Sequence, residues 1–480
     1  MLFEDDLIRH IEFKQKEIEN LLADVKTFNH RQEYFKIKKY IDSFLNDELI
    51  ENRFIVMPGL RGVGKTTILF QLYNYLKYKK EINPKNILYL PMDQLVSFFN
   101  TNLLDVVDSY LESIHKTTQG NLDEKLFIFV DESHFDKMWS ISGKVIYDST
   151  KNIFLIITGS SAIDLEINSD VERRMIKESI YPNNFGDYLS LKYNFKIEHD
   201  FVRTLENILY CGEDKYINKG IKLEEDVYDQ LSSINSYNHI EFNEFLKTYG
   251  FPSTINLNEL MSYQQIFSVV NRIIEKDIFR IKSFNSSTTD HIRRIVIYLA
   301  LARIGSVSNR KIADNLSISP KLVNEILNVL EKTQIIFSIK PYGGAGKIVK
   351  KAWNYYFLSP SIKSAINNEM GRFNLNNRKC LGNLAENLVA SSLYKLSKTR
   401  FKMMGLFYPP EEKGVDFLIR TKVDDIVPIE VGIGKKTKSQ LIRAINKYNS
   451  DYGILISNRY RRIKQHNDII YIPLTSFAFI

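Results

Sequence analysis

The 480-residue chain is too long for one ordinary core, and at roughly 100–200 residues per domain it predicts about three. Its 44% apolar and 25% charged residues exclude collagen-like, mucin-like and low-complexity classes, and its two cysteines, Cys211 and Cys380, exclude a disulfide framework or thiolate metal cluster. A net charge of +8 and a pI near 9.0 tilt the expectation toward an anionic partner, nucleic acid first, although a solubilising surface carries the same charge. The start, Met1-Leu2-Phe3-Glu4-Asp5-Asp6, is acidic where a signal peptide is basic, and no apolar run approaches the roughly 18–20 residues a bilayer demands, so a cytoplasmic protein is expected.

Residues 1–50 are rich in Lys and Glu, and Phe35, Ile37, Tyr40, Ile41, Phe44 and Leu45 give a stripe at helical period that predicts an N-terminal helix pair. From about 53 to 190, apolar runs at Phe54 to Met57, Ile87 to Leu90, Leu126 to Val130 and Ile153 to Thr158 alternate with amphipathic stretches. That alternation predicts a parallel, doubly wound α/β sheet. A fifth strand is expected over Glu178-Ser179-Ile180-Tyr181-Pro182. Residues 195–245 read as a helical insertion without a legible motif, and 258–335 as helical. Within the latter, Ser308 to Leu316, Ser317 to Pro320 and Lys321 to Leu330 have the spacing of a helix-turn-helix, with Ser319 as cap and Pro320 at the first helical position. Two β-like runs between Ile335 and Phe357, joined by a Gly343-Gly344 turn, complete a winged-helix outline. The last hundred residues predict a further α/β domain: a helix near Leu384 to Leu396, strands near Val415 to Ile419 and Val427 to Val431, a helix from Lys438 to Tyr448, and short strands at Gly453 to Ile456 and Ile469 to Ile472.

Gly59-Leu60-Arg61-Gly62-Val63-Gly64-Lys65-Thr66 satisfies the full G-x-x-x-x-G-K-[ST] spacing between an apolar strand and a helical run that starts with Thr67. The glycines let backbone N–H groups approach phosphates, Lys65 neutralises β and γ oxygens, and the Thr66 hydroxyl holds Mg²⁺, so ATP and Mg²⁺ are the expected cofactors. The strand Leu126 to Val130 ends in Asp131-Glu132, which predicts Asp131 on the metal side and Glu132 polarising the attacking water. Two acids capping a strand end are the bland alternative. Ser133-His134 completes a D-E-S-H quartet that resembles the acidic box of certain helicases, but no Gln-x-x-Gly-Arg-x-Gly-Arg or Ser-Ala-Thr element accompanies it, and His134 is expected to be a surface or packing histidine. Thr158 and Ser160, at the end of the next strand, are candidates to sense the γ-phosphate or orient the water, against the reading of a plain turn. Arg174, after Arg173, can reach the nucleotide of a neighbouring subunit, unless the pair is merely a solvated basic patch.

The order of these elements resembles the archaeal-type AAA+ ATPases that carry a winged helix and a C-terminal restriction-endonuclease-like domain. The resemblance spans most of the chain and rests on residues 59–67, Val130-Asp131-Glu132, Thr158-Gly159-Ser160-Ser161, Arg174, Tyr181-Pro182 with Phe185, Gly250-Phe251-Pro252, and Glu275 with Asp277-Ile278. It implies an N-terminal helical segment at 1–50, an AAA+ core at 51–193, a helical lid with insertion at 194–285, a winged helix-turn-helix at 286–360 and a nuclease-like domain at 361–480. Two departures stand out: Arg173-Arg174 where the family reads Gly-Arg, and Asn183-Asn184-Phe185 where it reads Leu-Ser-Phe.

The resemblance also implies a PD-(D/E)xK-like acid set of Glu386, Asp416 and Glu430, as binds Mg²⁺ in such nucleases. The lysine expected two residues after Glu430 is Gly432, so only Lys435 or Lys436 could substitute, and impaired cleavage is expected. Arg310, Lys311 and Lys321 of the helix-turn-helix and Lys347, Lys350 and Lys351 of the wing are expected to contact DNA phosphates with little sequence information. The expected function is an ATP-hydrolysing motor on DNA, self-associating into a ring such as a hexamer. A nucleotide-controlled regulatory or antiviral-defence switch and an ATP-dependent nuclease are the alternatives.

Overall fold

Strands β1 (Phe54–Pro58), β2 (Ile87–Pro91), β3 (Leu126–Asp131) and β4 (Ile153–Gly159) are buried along their whole length. Continuous apolar runs of this kind belong to a parallel sheet covered on both faces. The computed structural model describes residues 2–480 apart from 26–27, 161–168, 235–236, 239, 283, 285, 303–307, 373–377, 412, 423–424 and 434–437. It divides into two compact units, Met1–Tyr181 and Pro182–Ile480. No helix among the described residues is long and apolar enough to cross a membrane.

The first unit is the expected parallel sheet, in the order β2-β3-β4-β1-β5, where β5 (Ile176–Lys177) is short. The fifth strand was expected over 178–182; regular pairing with β1 instead involves Ile176 and Lys177, and the following chain continues it irregularly, Glu178 N–H bonding Val56 O and Ile180 N–H bonding Pro58 O. The helices are α1 (Leu2–Val25), α2 (Gln32–Leu45), α3 (Lys65–Tyr78), α4 (Met92–Phe99), α5 (Leu103–Tyr110), α6 (Trp139–Ser149) and α7 (Ser169–Glu172).

The period-2 alternation of strands sorts the core. Phe54, Val56, Leu88, Leu90, Ile128, Val130, Leu155 and Ile157 pack with Leu7 and Ile11 of α1 and with apolar side chains of α4, α5 and α6. On the other face, Phe44 of α2 lies 5.6 Å from Phe127 and 5.3 Å from Phe154, and Phe70 of α3 lies 5.2 Å from Tyr89. Burying a side chain such as Phe44 stabilises the fold by about 1.5–3 kcal/mol. The buried stripe of α2 is Tyr34, Ile37, Ile41 and Phe44, whereas Phe35 is 46% exposed. The expected stripe was therefore one residue out at its start, because two adjacent aromatics compete for one inward position.

Strand order positions the chemistry. The P-loop leaves the end of β1, the acid pair ends β3, and β4 lies between them, so Thr158 to Ser160 separate Lys65 from Asp131 across the sheet. Crevices at the carboxyl ends of parallel strands are where such sheets bind ligands.

The second unit begins with α8 (Phe185–Tyr193), α9 (His199–Cys211), α10 (Asp214–Ser232), α11 (Glu241–Thr248), α12 (Glu259–Arg272), α13 (Ile278–Ile281) and α14 (Ser286–Leu301). Helices α15 (Asn309–Leu316) and α16 (Pro320–Lys332) follow, each capped by a serine: Ser308 Oγ accepts from Lys311 N–H and Ser319 Oγ from Leu322 N–H, both at 3.2 Å. Ser319 thus caps α16 with Pro320 at its first position, as expected. Antiparallel strands β6 (Ile336–Pro341) and β7 (Asn354–Phe357) come next, but helix α17 (Ala345–Lys350) occupies the connection expected to be a simple glycine turn. Gly343, at φ +147°, makes the turn, and the helix starts two residues later.

Helices α18 (Pro360–Glu369) and α19 (Arg378–Lys398) lead to β8 (Gly405–Tyr408), β9 (Phe417–Arg420), β10 (Ile426–Gly432), α20 (Ser439–Tyr448), β11 (Gly453–Ser457), β12 (Lys464–His466), β13 (Ile469–Pro473) and α21 (Leu474–Phe477). One eight-stranded mixed sheet, β12-β13-β11-β10-β9-β8-β6-β7, unites these strands with the β6–β7 pair, because Lys340 and Pro341 of β6 pair in parallel with Phe407 and Tyr408 of β8.

Candidate nucleotide site

The P-loop is held by its apolar residues and shaped by its glycines. Leu60 and Val63 are buried, Gly62 and Gly64 adopt φ +83° and +93°, and Gly64 is the N-cap of α3. Gly59 forms a bridge with Ile180, and a Cβ there would stand 2.4 Å from the Ile180 carbonyl oxygen, so no other residue fits. Arg31, which precedes α2, is 4% exposed and clamps the loop from outside, donating to Val63 O at 2.9 Å and Tyr181 O at 3.0 Å. Nothing in the sequence spacing singles out Arg31.

Lys65 Nζ curls into the loop and donates to Gly59 O at 2.9 Å and Leu60 O at 3.0 Å. Thr66 and Thr67 occupy the first turn of α3, whose backbone N–H groups have no partner within the helix and favour an anion. Arg61 extends from the loop toward Glu132, with Nη2 at 3.9 Å from Oε2.

The Asp131 carboxylate is the hub of the site. It accepts from Thr66 Oγ1 at 2.8 Å and Tyr89 OH at 3.0 Å through Oδ2, and from Thr158 Oγ1 through Oδ1. Asp131 is 5% exposed, and burial followed by the neighbouring Glu132 charge raises its pKa against the opposing pull of Thr158, Thr66 and Lys65. The same burial and the Asp131 charge push the Tyr89 phenol well above its usual value. Tyr89 was not foreseen, although a phenol in the run Ile-Leu-Tyr-Leu-Pro is the residue that needs a polar partner there.

Glu132 has φ +53°, a left-handed conformation unusual for a residue with a side chain, and its N–H donates to Thr158 Oγ1 at 3.2 Å. His134, expected at the surface or as packing, is 7% exposed, which excludes the surface and leaves packing, with a polar atom close to each ring nitrogen. Its Nε2 lies 3.3 Å from Glu132 Oε2 and its Nδ1 accepts from Ser160 N–H at 3.3 Å. Ser160 itself is buried at the end of β4, and Ser161 lies outside the described residues.

Arg174 sits between α7 and β5, where Nε donates to Asp148 Oδ1 of α6 and Nη1 to Asp170 O, both at 2.7 Å. These contacts lie away from Lys65 and Asp131.

In the second unit, Glu386 (α19) accepts from Tyr356 OH at 3.2 Å, and Asp416 Oδ2 accepts from Val431 N–H at 2.6 Å, beside Glu430 on β10. Glu430 is 1% exposed, and Gly432 ends the same strand. Lys435 and Lys436 lie outside the described residues. Lys363 of α18 is a buried ammonium near Glu386; burial lowers its pKa to about 8 while Glu386 and Cys380 oppose that shift. Among the described residues, no group of three or more His, Cys, Asp and Glu side chains is arranged to hold a metal ion. Arg310, Lys311, Lys321, Lys347, Lys350 and Lys351 are all exposed, three on the helix-turn-helix and three on and just after α17.

Residues 51–189 match a family model described as AAA domain. The uncharacterized protein MJ1637 of Methanocaldococcus jannaschii is 31% identical over 450 residues, covering 94% of this chain and 89% of that protein. The chain belongs to the MJ1637 family of AAA-domain proteins. The uncharacterized protein MJ1544 of the same organism is 23% identical over 444 residues, covering 91% and 87%. Residues 241–372 and 381–477 match two domains of unknown function, DUF8612 and DUF4143. AMPPCP-bound DnaA from Aquifex aeolicus aligns at 14% identity over 64% of this chain and 91% of that one, with a TM-score of 0.26, too loose a superposition to carry an argument.

Proposed function

We propose that the chain hydrolyses ATP with Mg²⁺ and uses the reaction to act on DNA. The observation that carries the first part is the Asp131 hub: a P-loop threonine and a strand-end carboxylate joined at 2.8 Å, with Glu132 next in sequence. Thr66 and Asp131 present only hard oxygen donors, which suits Mg²⁺ when phosphate oxygens and water complete its shell. The first turn of α3 and Lys65 supply the positive field a polyphosphate needs. The residues present therefore fit both groups.

Bound ATP·Mg²⁺ supplies the phosphoryl group and the charge that polarises it. Lys65 turns from the Gly59 and Leu60 carbonyls toward the β and γ oxygens and neutralises them. Thr66 and Asp131 orient the cation side of the site. Glu132 accepts the proton of the attacking water, and Ser160, at the end of the intervening strand, orients that water. Thr158, committed between Asp131 and the Glu132 backbone, holds the two acids in register. Arg174 leaves Asp148 to stabilise transferred charge on a neighbouring subunit of a ring.

The DNA reading rests on the exposed cations of the helix-turn-helix and α17, which suit phosphates without base readout. The modules at 194–285, 286–360 and 361–480 are proposed as lid, winged helix and nuclease-like domain, and Gly432 in place of a lysine supports the absence of cleavage. A nucleotide-controlled switch is the second reading, favoured by Glu132 Oε2 lying within 3.9 Å of Arg61 Nη2 in its own loop.

The test is the ATPase rate with and without single-stranded, duplex and four-way-junction DNA, with Glu132→Gln as the blank. Stimulation by one DNA form is the expected result. Turnover above the blank with no DNA effect transfers the reading to the switch, and DNA cutting with Mg²⁺ or Mn²⁺ would restore the nuclease reading.

A further inference from the structure

Three features of the turn after β3 belong together. Glu132 is held at φ +53° and ψ +41°, a left-handed conformation that is unfavourable for a residue with a Cβ and persists only where its surroundings enforce it. A single helical turn, Ser133–Phe135, folds the chain back, with Phe135 N–H bonding Glu132 O at 3.1 Å and Asp136 N–H bonding Ser133 O at 2.9 Å. That turn carries His134 under the Glu132 side chain and against the end of β4.

The imidazole lies between two polar neighbours, hydrogen-bonded to the first and close to the second. A backbone N–H can only donate, so the Ser160 N–H at 3.3 Å makes Nδ1 an acceptor, and the neutral ring then carries its proton on Nε2. Nε2 lies 3.3 Å from Glu132 Oε2, within ion-pair distance but outside hydrogen-bond geometry. A histidine serving only to fill space needs no such pairing; here a strand-end amide selects the tautomer that can donate to the glutamate. Arg61 Nη2 approaches the same oxygen at 3.9 Å, so both contacts fall on Oε2.

We propose that His134 is a positioning residue: it transmits the position of Ser160 to Glu132, with a small rotation of the ring aligning Nε2–H on the Oε2 that it already stands 3.3 Å from, and it leaves proton acceptance from water to Oε1. This rests on Glu132 being the water-activating acid. The end of β4, where the phosphoryl group is to be sensed, and the acid that activates water thereby move as one unit.

Two measurements on the full chain test it, one of which needs no turnover. In nucleotide-free protein, ¹⁵N-histidine NMR, with His134 assigned by its loss in His134→Gln, is expected to give the Nε2–H tautomer; an Nδ1–H ring overturns the proposal. In turnover, His134→Leu is expected to lower kcat roughly 10- to 100-fold, the scale of a small misplacement of a reacting group, while KM and the Kd for a fluorescent ADP stay within about threefold. His134→Gln, which keeps an N–H near the place of Nε2, is expected to recover most of the loss, and His134→Leu is expected to add nothing in a Glu132→Gln background. Retained ADP binding shows that the variant is folded. If Glu132→Gln is inactive but His134→Leu turns over at the full rate, or if Leu and Gln lose kcat equally, the positioning role is wrong. If Glu132→Gln keeps the full rate, the ATPase assignment fails instead, and the NMR tautomer alone decides the His134 contact.

Discussion

Thr66 Oγ1 donates to Asp131 Oδ2 at 2.8 Å, joining the first turn of α3 to the last residue of β3 across 65 positions of sequence. Asp131 is buried with its pKa raised, so the ionised carboxylate depends on the hydroxyls around it and on the cation it is proposed to face. Thr66→Val keeps the shape and removes the donor and the proposed metal ligand. Turnover is expected to fall by about 100-fold, the scale seen when one oriented polar contact is lost, with a higher Mg²⁺ concentration needed for half-maximal rate. Thr66→Ser is expected to remain near the unmodified rate in the same Mg²⁺ titration.

Lys65 and Glu132 separate binding from chemistry. Lys65→Ala removes the cation proposed to serve the phosphates, and nucleotide binding is expected to be lost in an equilibrium titration. Glu132→Gln preserves the backbone and the size of the side chain but not its basicity. ATP is expected to stay bound while turnover drops by about 10²- to 10⁴-fold, the usual range for a general base. An unmodified rate in Glu132→Gln would remove Glu132 from the mechanism.

Much of this site is legible in the sequence, because a P-loop and a strand-end acid pair are local patterns. The four long strands are legible for the same reason: runs such as Leu-Phe-Ile-Phe-Val admit few alternatives once turn residues bound them. What escapes is contact between side chains distant in sequence. Arg31 reaches Val63 and Tyr181, and Tyr89 reaches Asp131, through tertiary geometry alone. His134 escapes differently: two positions after Glu132 on an extended strand it would share its face but stand about 7 Å further along, and only the helical turn at Ser133 brings the two side chains together. Strand β12, Lys464–His466, is fully exposed and polar, so it has no apolar alternation to read. Helix α17 is masked by the glycines at 343, 344 and 346, which signal a loop more strongly than six residues signal a helix.

Arg174 is bonded to Asp148 and to the Asp170 carbonyl of its own chain. An exposed, solvent-screened ion pair of this kind contributes little, so it does not prevent the guanidinium from swinging to a partner. Arg174→Ala is expected to lower turnover without weakening nucleotide binding. Mixing Arg174→Ala protein with Lys65→Ala protein is expected to restore part of the rate, since each supplies what the other lacks. No restoration, in a mixture shown to co-assemble, would confine Arg174 to a role within its own subunit.

Lys347, Lys350 and Lys351 lie exposed on and beside α17. If they contact DNA phosphates, changing all three to Ala reduces the slope of log K against log salt by up to about 2.7, since each neutralised duplex phosphate contributes about 0.9. Affinity is expected to drop about equally for unrelated sequences, and hydrolysis without DNA is expected to stay unchanged. A loss confined to one sequence would point to base readout.

Lys363 offers a prediction about stability. Its ammonium is 2% exposed on α18, and desolvation lowers its pKa from 10.5 to about 8 despite Glu386. The folded state therefore binds fewer protons than the unfolded chain between about pH 8 and 10.5, so stability climbs with pH across that window. Below about pH 8 the fold carries the full cost of the buried charge, on the order of 3 kcal/mol with the attraction of Glu386 already included. Lys363→Met fills a similar volume without a charge, and Glu386, partly exposed, keeps the Tyr356 hydroxyl and access to water. Tm is expected to rise in Lys363→Met at pH 7, with the gap from the unmodified protein closing as pH approaches 10.5. A gap that stays constant over that range would mean that Lys363 does not titrate there, and a lower Tm at pH 7 would mean that the Glu386 pair outweighs the desolvation of the ammonium.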